Sequence, residues 1–232
     1  LGAFGIIAEI KDRSPAEGDL AAPDSDRVAR AKDYVAGGAA AISVLTEPSR
    51  FSGSLQHLEE VVAAVPGTPV MRKDFLVEPV QVDEARAAGA SGVLLIVAML
   101  TDNKLRDMLD CAHEHGLFVL LEAFDSDDLS RTKTVMNAVD LDRAADGQLL
   151  FGINTRNLRT LAVDPDRLEA LAPELPTGRC VAESGLHTAD DAGRVAGWGY
   201  SMALVGTALM RAADPAALIR DMREAGSARL AA

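Results

Sequence analysis

Residues 92–121 read G-V-L-L-I-V-A-M-L-T-D-N-K-L-R-D-M-L-D-C-A-H-E-H-G-L-F-V-L-L. Gly92–Val97 is a short β-rich run, apolar on both sides, as a parallel strand covered by helices must be. Thr101 then opens an amphipathic helix over Asp102–His115, and Gly116 closes it. Leu117–Leu121 is apolar on both sides again. A strand, a helix and a second strand of this kind make one crossover between parallel neighbours.

The same alternation runs outward in both directions. Further strand-like runs are Phe4–Ile10, Ala41–Leu45, Pro69–Arg72, Leu149–Ile153, Cys180–Glu183 and Met202–Val205, eight in all. Helical patterns lie between them. Asp24 or Ser25 caps Asp26–Ala36, which Gly37-Gly38 ends, and Ser54 starts Leu55–Val65. Pro79 sits in the first turn of Val80–Ala88, closed by Gly89. Asp125 or Ser126, Asp164-Pro165, Thr188 (Ala189–Ala196, closed by Gly197) and Asp214-Pro215 start the rest. Eight β/α units over residues 1–232 predict a single (β/α)8 barrel, with a doubly wound open sheet as the alternative. Strand 1 runs into E-I-K-D-R-S-P, without the G-x-G-x-x-G turn of a dinucleotide-binding sheet. The connection from Glu122 to Gly152 holds residues beyond a simple helix, including Val139–Gly147.

Composition narrows the function. The 232 residues are 48% hydrophobic and 25% charged, which excludes disorder and leaves enough apolar surface for a core without disulfides or structural metal. The net charge of −12, the 4% aromatic content and the absence of a basic run speak against a nucleic-acid partner. Val93–Leu100 is the longest apolar stretch and is too short to span a bilayer, so no membrane partner is expected. The opening L-G-A-F-G-I-I-A-E-I-K has no basic segment before its apolar one and starts almost directly on a strand, so no signal peptide is expected. Cys111 and Cys180 read as isolated thiols, which fits a reducing, cytoplasmic location.

In a barrel of this kind the site lies at the strand C-termini. Strand 1 ends in Glu9 and Lys11, strand 2 in Ser43 and Thr46, strand 3 in Lys73 and Asp74, and strand 5 in Glu122. Strand 6 gives Asn154 and Arg156, strand 7 Glu183, Ser184 and Gly185, and strand 8 Gly206 and Thr207. One such charge pairs with a neighbour as readily as it serves a ligand. Five apolar strands ending in charges together predict a site. A-E-S-G after strand 7 and V-G-T-A-L after strand 8 put small residues at helix starts, where backbone N–H groups grip phosphate.

No histidine falls at a strand end. His57, His113, His115 and His187 read as surface residues, and His113-x-His115 is no metal pair because i and i+2 point to different faces of a helix. The D-S-D-D run Asp125–Asp128 reads as a helix N-terminus. Trp198 and Tyr200 read as packing residues. A lysine whose pKa is lowered by desolvation or neighbours can act as a general acid, with a nearby Glu moving the proton and a second Lys or an Arg holding an anion. That set suits proton transfer on an anionic sugar phosphate. Lys11, Lys73 and Arg156 would make the mouth locally positive within an acidic chain.

The stretches I-A-E-I-K-D-R-S-P-A-E-G, S-V-L-T-E-P-S-R-F-S-G-S, R-K-D-F-L-V-E-P, G-I-N-T-R-N-L, A-E-S-G and V-G-T-A-L-M-R together resemble the indole-3-glycerol phosphate synthase family, from about Ile6 to Arg211. The resemblance implies a (β/α)8 barrel of tryptophan biosynthesis. Its members convert 1-(2-carboxyphenylamino)-1-deoxyribulose 5-phosphate to indole-3-glycerol phosphate, releasing carbon dioxide and water with no cofactor and no metal. It further implies association with other enzymes of that pathway. By this resemblance Lys73 is the general acid, Glu122 its acid/base partner in the dehydration, and Lys11 the holder of the substrate carboxylate, with Glu9 and Asn154 orienting them. Arg156 and Glu183 line the site, Phe51 and Phe75 wall the aromatic pocket, and Ser14, Ser184, Gly185, Gly206 and Thr207 grip phosphate.

Three features depart from the family pattern. The usual N-terminal helical extension ahead of strand 1 is missing from this sequence, Ala16 stands where Ser is usual, and the strand 5 to strand 6 connection is longer. Two other readings stand beside an active synthase: a paralogous barrel enzyme of a secondary pathway with an altered substrate, and a non-catalytic barrel kept as a binding or assembly partner. Loss of a catalytic charge would mark the last, and Lys11, Lys73 and Glu122 are all present.

Overall fold

A computed structural model describes residues 3–20, 26–156 and 162–231. Asp24 and Ser25, the expected first caps, and Asn157 and Leu158 of the G-I-N-T-R-N-L stretch lie outside the described residues.

Eight parallel strands close into a barrel: β1 (Gly5–Ile10), β2 (Ala41–Leu45), β3 (Val70–Lys73), β4 (Gly92–Ile96), β5 (Phe118–Ala123), β6 (Leu149–Asn154), β7 (Arg179–Glu183) and β8 (Met202–Val205). Each pairs with its neighbours in sequence, and β1 closes on β8 through Ile7 opposite Leu204. The doubly wound alternative is thereby excluded. The expected strands recur, two with unchanged ends and the others with ends moved by one or two residues. β3, β5 and β6 run on to include Lys73, Glu122 and Asn154, because an inward-pointing polar side chain does not interrupt a backbone ladder.

Strand alternation divides the core in two. Ile7, Met71, Leu94, Leu120, Leu150, Val181 and Leu204 pack together inside the barrel. Their neighbours, such as Ile6, Ile42, Val93, Val119, Ile153 and Ala203, face the surrounding helices. The charged strand ends continue the inner set: Glu9 follows Ile7, Lys73 follows Met71, Glu122 follows Leu120 and Glu183 follows Val181, each two residues on. The barrel is a filled core with a polar top.

The outer elements are α1 (Arg27–Ala36), α2 (Pro48–Phe51), α3 (Leu55–Ala64), α4 (Pro79–Ala87), α5 (Asp102–Glu114), α6 (Ser126–Val135), α7 (Ala138–Ala145), α8 (Arg167–Leu171), α9 (Ala189–Gly197), α10 (Thr207–Arg211) and α11 (Pro215–Leu230). Their ends follow local chemistry. Asp26, described in place of the expected Asp24 or Ser25, caps α1 by accepting from the Val28 and Ala29 N–H groups. Asp125 caps α6, as the D-S-D-D run predicts. The left-handed position after α9 is Gly199 (φ 100°), two residues beyond the Gly197 expected to close that helix, with Trp198 as its C-cap. Tyr200 is buried and donates its hydroxyl to the Leu168 carbonyl at 2.9 Å.

The long connection between β5 and β6 holds a second helix, α7, whose start is fixed by a reciprocal cap between Asn137 and Asp140. Asp140 is fully buried and takes the Arg106 guanidinium, with the His113 Nε2 3.6 Å away. His113 is therefore an inner residue, its side chain 10% exposed, and not the surface histidine expected. The added helix supplies a buried carboxylate that helical spacing alone does not reveal. No helix among the described residues is long and apolar enough to cross a membrane.

Candidate active site

A cavity of about 530 Å³ opens at the C-terminal end of the strands. All fourteen candidate residues line it: Glu9, Lys11, Ser14, Phe51, Lys73, Phe75, Glu122, Asn154, Arg156, Glu183, Ser184, Gly185, Gly206 and Thr207. Leu94 and Ile96 of β4, which contributes nothing polar, belong to the lining as well.

Glu9 is the electrostatic centre. Its carboxylate is 3% exposed, with Oε1 2.7 Å from the Lys11 ammonium and Oε2 3.1 Å from that of Lys73. Burial pushes a carboxyl up, but the two ammonium groups outweigh it and bring Glu9 down to about 2. Gly206 makes room for this pairing, since a Cβ there would meet the Glu9 carboxylate and come within 2.8 Å of Lys11 Nζ. Lys73 differs from expectation. Desolvation pulls its pKa down, but Glu9, Glu122 and Glu183 together raise it above the ordinary lysine value. Its ammonium form is favoured by its surroundings, where the sequence reading expected a lowered pKa. The reason is tertiary: three carboxyls from three other strands converge on it.

Glu183 goes the other way from Glu9. It is 1% exposed, and burial, then the Glu122 carboxylate beside it, push it well above the usual carboxylate range, with Lys73 offsetting only part. Burial and the neighbouring carboxyl therefore favour the protonated form of Glu183. Gly152 on β6 leaves Glu183 its space, because a Cβ there would fall on the carboxylate. Asn154 is fixed by accepting from the Ser184 hydroxyl and from the Arg156 N–H, each at 2.9 Å.

The side that the sequence reading assigns to phosphate combines Ser14, Ser184 and Gly185, the last two in left-handed backbone (φ 67° and 76°), with Gly206 and Thr207 at the start of α10. The Thr207 hydroxyl donates to Glu17 Oε1 at 3.0 Å, and Arg211 holds the other Glu17 oxygen at 3.0 Å. Phe51 and Phe75 form a tilted pair with centroids 6.3 Å apart, and the Arg50 guanidinium lies 5.8 Å from the Phe75 ring.

Sequence reasoning missed Glu17 and Arg50, both lining the cavity. Arg50 rides on α2, four residues long, whose signal was the Glu47-Pro48 cap and first-turn pair. Thr46 lies outside the cavity lining and braces the base of the site, donating to Asp74 at 2.6 Å and accepting from Arg72 Nε at 3.2 Å. The expected positive mouth is offset, since Lys11 and Lys73 face Glu9. His115 pairs with Asp83 at 2.6 Å while His113 turns to Asp140, so the two histidines do point apart.

Comparison with known proteins bears on family and fold. A family model described as indole-3-glycerol phosphate synthase matches residues 2–222. An indole-3-glycerol phosphate synthase from a Nocardioides species is 50% identical over 219 residues, covering 94% of this chain and 79% of that protein. One from Koribacter versatilis is 44% identical over 218 residues, covering 94% and 79%. Among solved structures, 3-hexulose-6-phosphate synthase from Salmonella typhimurium superposes with a TM-score of 0.72 at 16% identity, covering 97% of this chain and all of that one. Tryptophan synthase from M. tuberculosis gives 0.64 at 15%, covering 97% and 93%. These two share the barrel alone. The sequence relatives and the family model carry more: this chain belongs to the indole-3-glycerol phosphate synthase family.

Proposed function

We propose that the chain converts 1-(2-carboxyphenylamino)-1-deoxyribulose 5-phosphate to indole-3-glycerol phosphate, releasing carbon dioxide and water, as a carboxy-lyase of tryptophan biosynthesis. The observation that carries this reading is the Glu9 carboxylate held between the Lys11 and Lys73 ammonium groups, in one cavity with the Glu122 and Glu183 carboxyls.

The substrate's phosphate is gripped by Ser14, Ser184 and the backbone N–H groups around Gly185, Gly206 and Thr207. Its aromatic ring lies against Phe51 and Phe75, and Arg156 lines the site beside it. Lys11 holds the ring carboxylate. The ring carbon then attacks the ketone, and Lys73, already protonated, donates to the oxygen as negative charge develops on it. The carboxylate leaves as carbon dioxide and returns its bonding pair to the ring. The new hydroxyl departs as water on taking a proton, and the adjacent carbon gives one up. Glu122 and Glu183 serve as base and acid for that exchange, with burial and the adjacent carboxyl favouring protonated Glu183 as the acid. Glu9 and Asn154 keep the reacting groups in place.

The test is to add the carboxyphenylamino deoxyribulose phosphate and follow indole fluorescence. Silence from the wild-type chain overturns the reading. Lys73→Ala should lower turnover by about 10²–10⁴-fold and leave binding of a phosphate-bearing product analogue within a few-fold. Unchanged turnover would remove Lys73 from the mechanism.

A further inference from the structure

Three metal-ligating side chains converge among the outer helices, and none of them lines the catalytic cavity. Asp83 comes from α4, and Cys111 and His115 come from α5 and its C-cap. Cys111 and His115 are four residues apart and so share a helix face. One ligand atom from each of the three lies within 4.8 Å of the others. We propose that Asp83, Cys111 and His115 form a zinc site that ties α4 to α5, with water as the fourth ligand.

The donor set selects the metal. Thiolate, imidazole and carboxylate are each zinc ligands, and three protein ligands with one open position is a common zinc arrangement. Magnesium and calcium take oxygen ligands and have no use for Cys111. The spacing also fits. A zinc tetrahedron with bonds of about 2.0 Å to O and N and about 2.3 Å to S has edges of about 3.3 Å and 3.5 Å. Cys111 Sγ already lies 3.7 Å from Asp83 Oδ1. His115 Nε2 lies 2.6 Å from the same oxygen and must open by about 0.7 Å to match that tetrahedral edge. The two side chains are 35% and 54% exposed, so a small rotation suffices. An exposed His–Asp pair is worth little by itself, so opening it costs little. The pair also leaves the sulfur unexplained: Cys111 Sγ sits 3.7 Å from both the Pro79 carbonyl and Asp83, and one thiol proton cannot serve both. When zinc enters, that proton passes to solvent and sulfur takes the metal.

The full-length chain should be titrated with zinc against a chromophoric chelator, and with cobalt(II) by absorption spectroscopy. The proposal expects one zinc per chain and a thiolate-to-cobalt band in the near ultraviolet. Cys111→Ser should abolish that band, and His115→Ala and Asp83→Asn should each weaken zinc binding about tenfold or more. Cys180→Ser should leave zinc binding and the cobalt band unchanged. Zinc should raise the thermal midpoint of wild type and leave that of Cys111→Ser unmoved. Binding in a Cys111→Ser/His115→Ala double variant as tight as in wild type overturns the site, as does no binding by wild type at about millimolar zinc, the weak end of metal-site affinities. Should Cys111→Ser fold poorly, Asp83→Asn and His115→Ala, both at accessible positions, decide the question by the same titration.

Discussion

Glu9 and Glu183 are both buried carboxyls at the barrel mouth, and they titrate in opposite directions. Glu9 has two ammonium partners within 3.1 Å and falls to about 2, whereas Glu183 has a carboxyl neighbour and rises. The consequence for stability follows from proton linkage. In the unfolded chain Glu183 titrates near 4.5, and in the folded protein higher, so wild type loses stability as pH climbs from about 4.5 through the folded value. Glutamine carries no proton to lose. Glu183→Gln is therefore expected to be more stable than wild type at pH 7, with little difference at pH 4, and to turn over substrate at least tenfold more slowly. Urea unfolding at the two pH values checks the first part, and indole fluorescence the second. A variant less stable than wild type at pH 7 would mean that Glu183 is ionised and paired in the native state. None of this was legible in the sequence. A glutamate at a strand end looks the same whether an ammonium or a carboxyl faces it, and that choice is made by strands far apart in the chain.

At the scale of the element, the strand ends were readable because period-two alternation carries the inner face from apolar to charged within one run. Elements too short to show a period were not. α2, of four residues, brings Arg50 to the cavity without any period to announce it, whereas Thr207 at the start of five-residue α10 was readable only from the small residues of V-G-T-A-L. Close approach is equally silent. Gly152 looks like a weak point in the apolar run of β6, yet its missing side chain is the space the Glu183 carboxyl occupies. Gly152→Ala should leave the strand paired and displace that carboxyl, lowering kcat by about tenfold or more, since a misplaced catalytic group is costly. Far-ultraviolet circular dichroism unchanged from wild type, together with the rate, checks this. Full activity would show that the site tolerates a shifted Glu183.

For the whole molecule, closure depends on segments from opposite ends of the sequence. β1 pairs with β8, and the Phe4 N–H donates to Ser227 Oγ on α11 at 2.9 Å. The Phe4 ring packs so closely on Gly226 that a Cβ there would overlap it. Gly226→Ala adds helix propensity in isolation but overfills this contact, and it should destabilise the protein by about 1–3 kcal/mol. Urea denaturation measures it, and a gain in stability would mean the ring relaxes freely. The barrel itself was legible from eight repeats of one pattern, each apolar strand followed by a capped helix. The second helix between β5 and β6 was visible only as surplus length, because its stability rests on Asp140 meeting Arg106 across sequence.

The pairing of Lys11 and Lys73 with Glu9 also governs how an anion arrives. Each ammonium is already answered by a carboxylate, so the rim of an acidic protein casts little attraction into bulk solvent. Capture becomes a short-range event. In the proposed reaction the ring carboxylate must take Lys11 over from Glu9, so selection among anions happens by exchange of partners inside the cup.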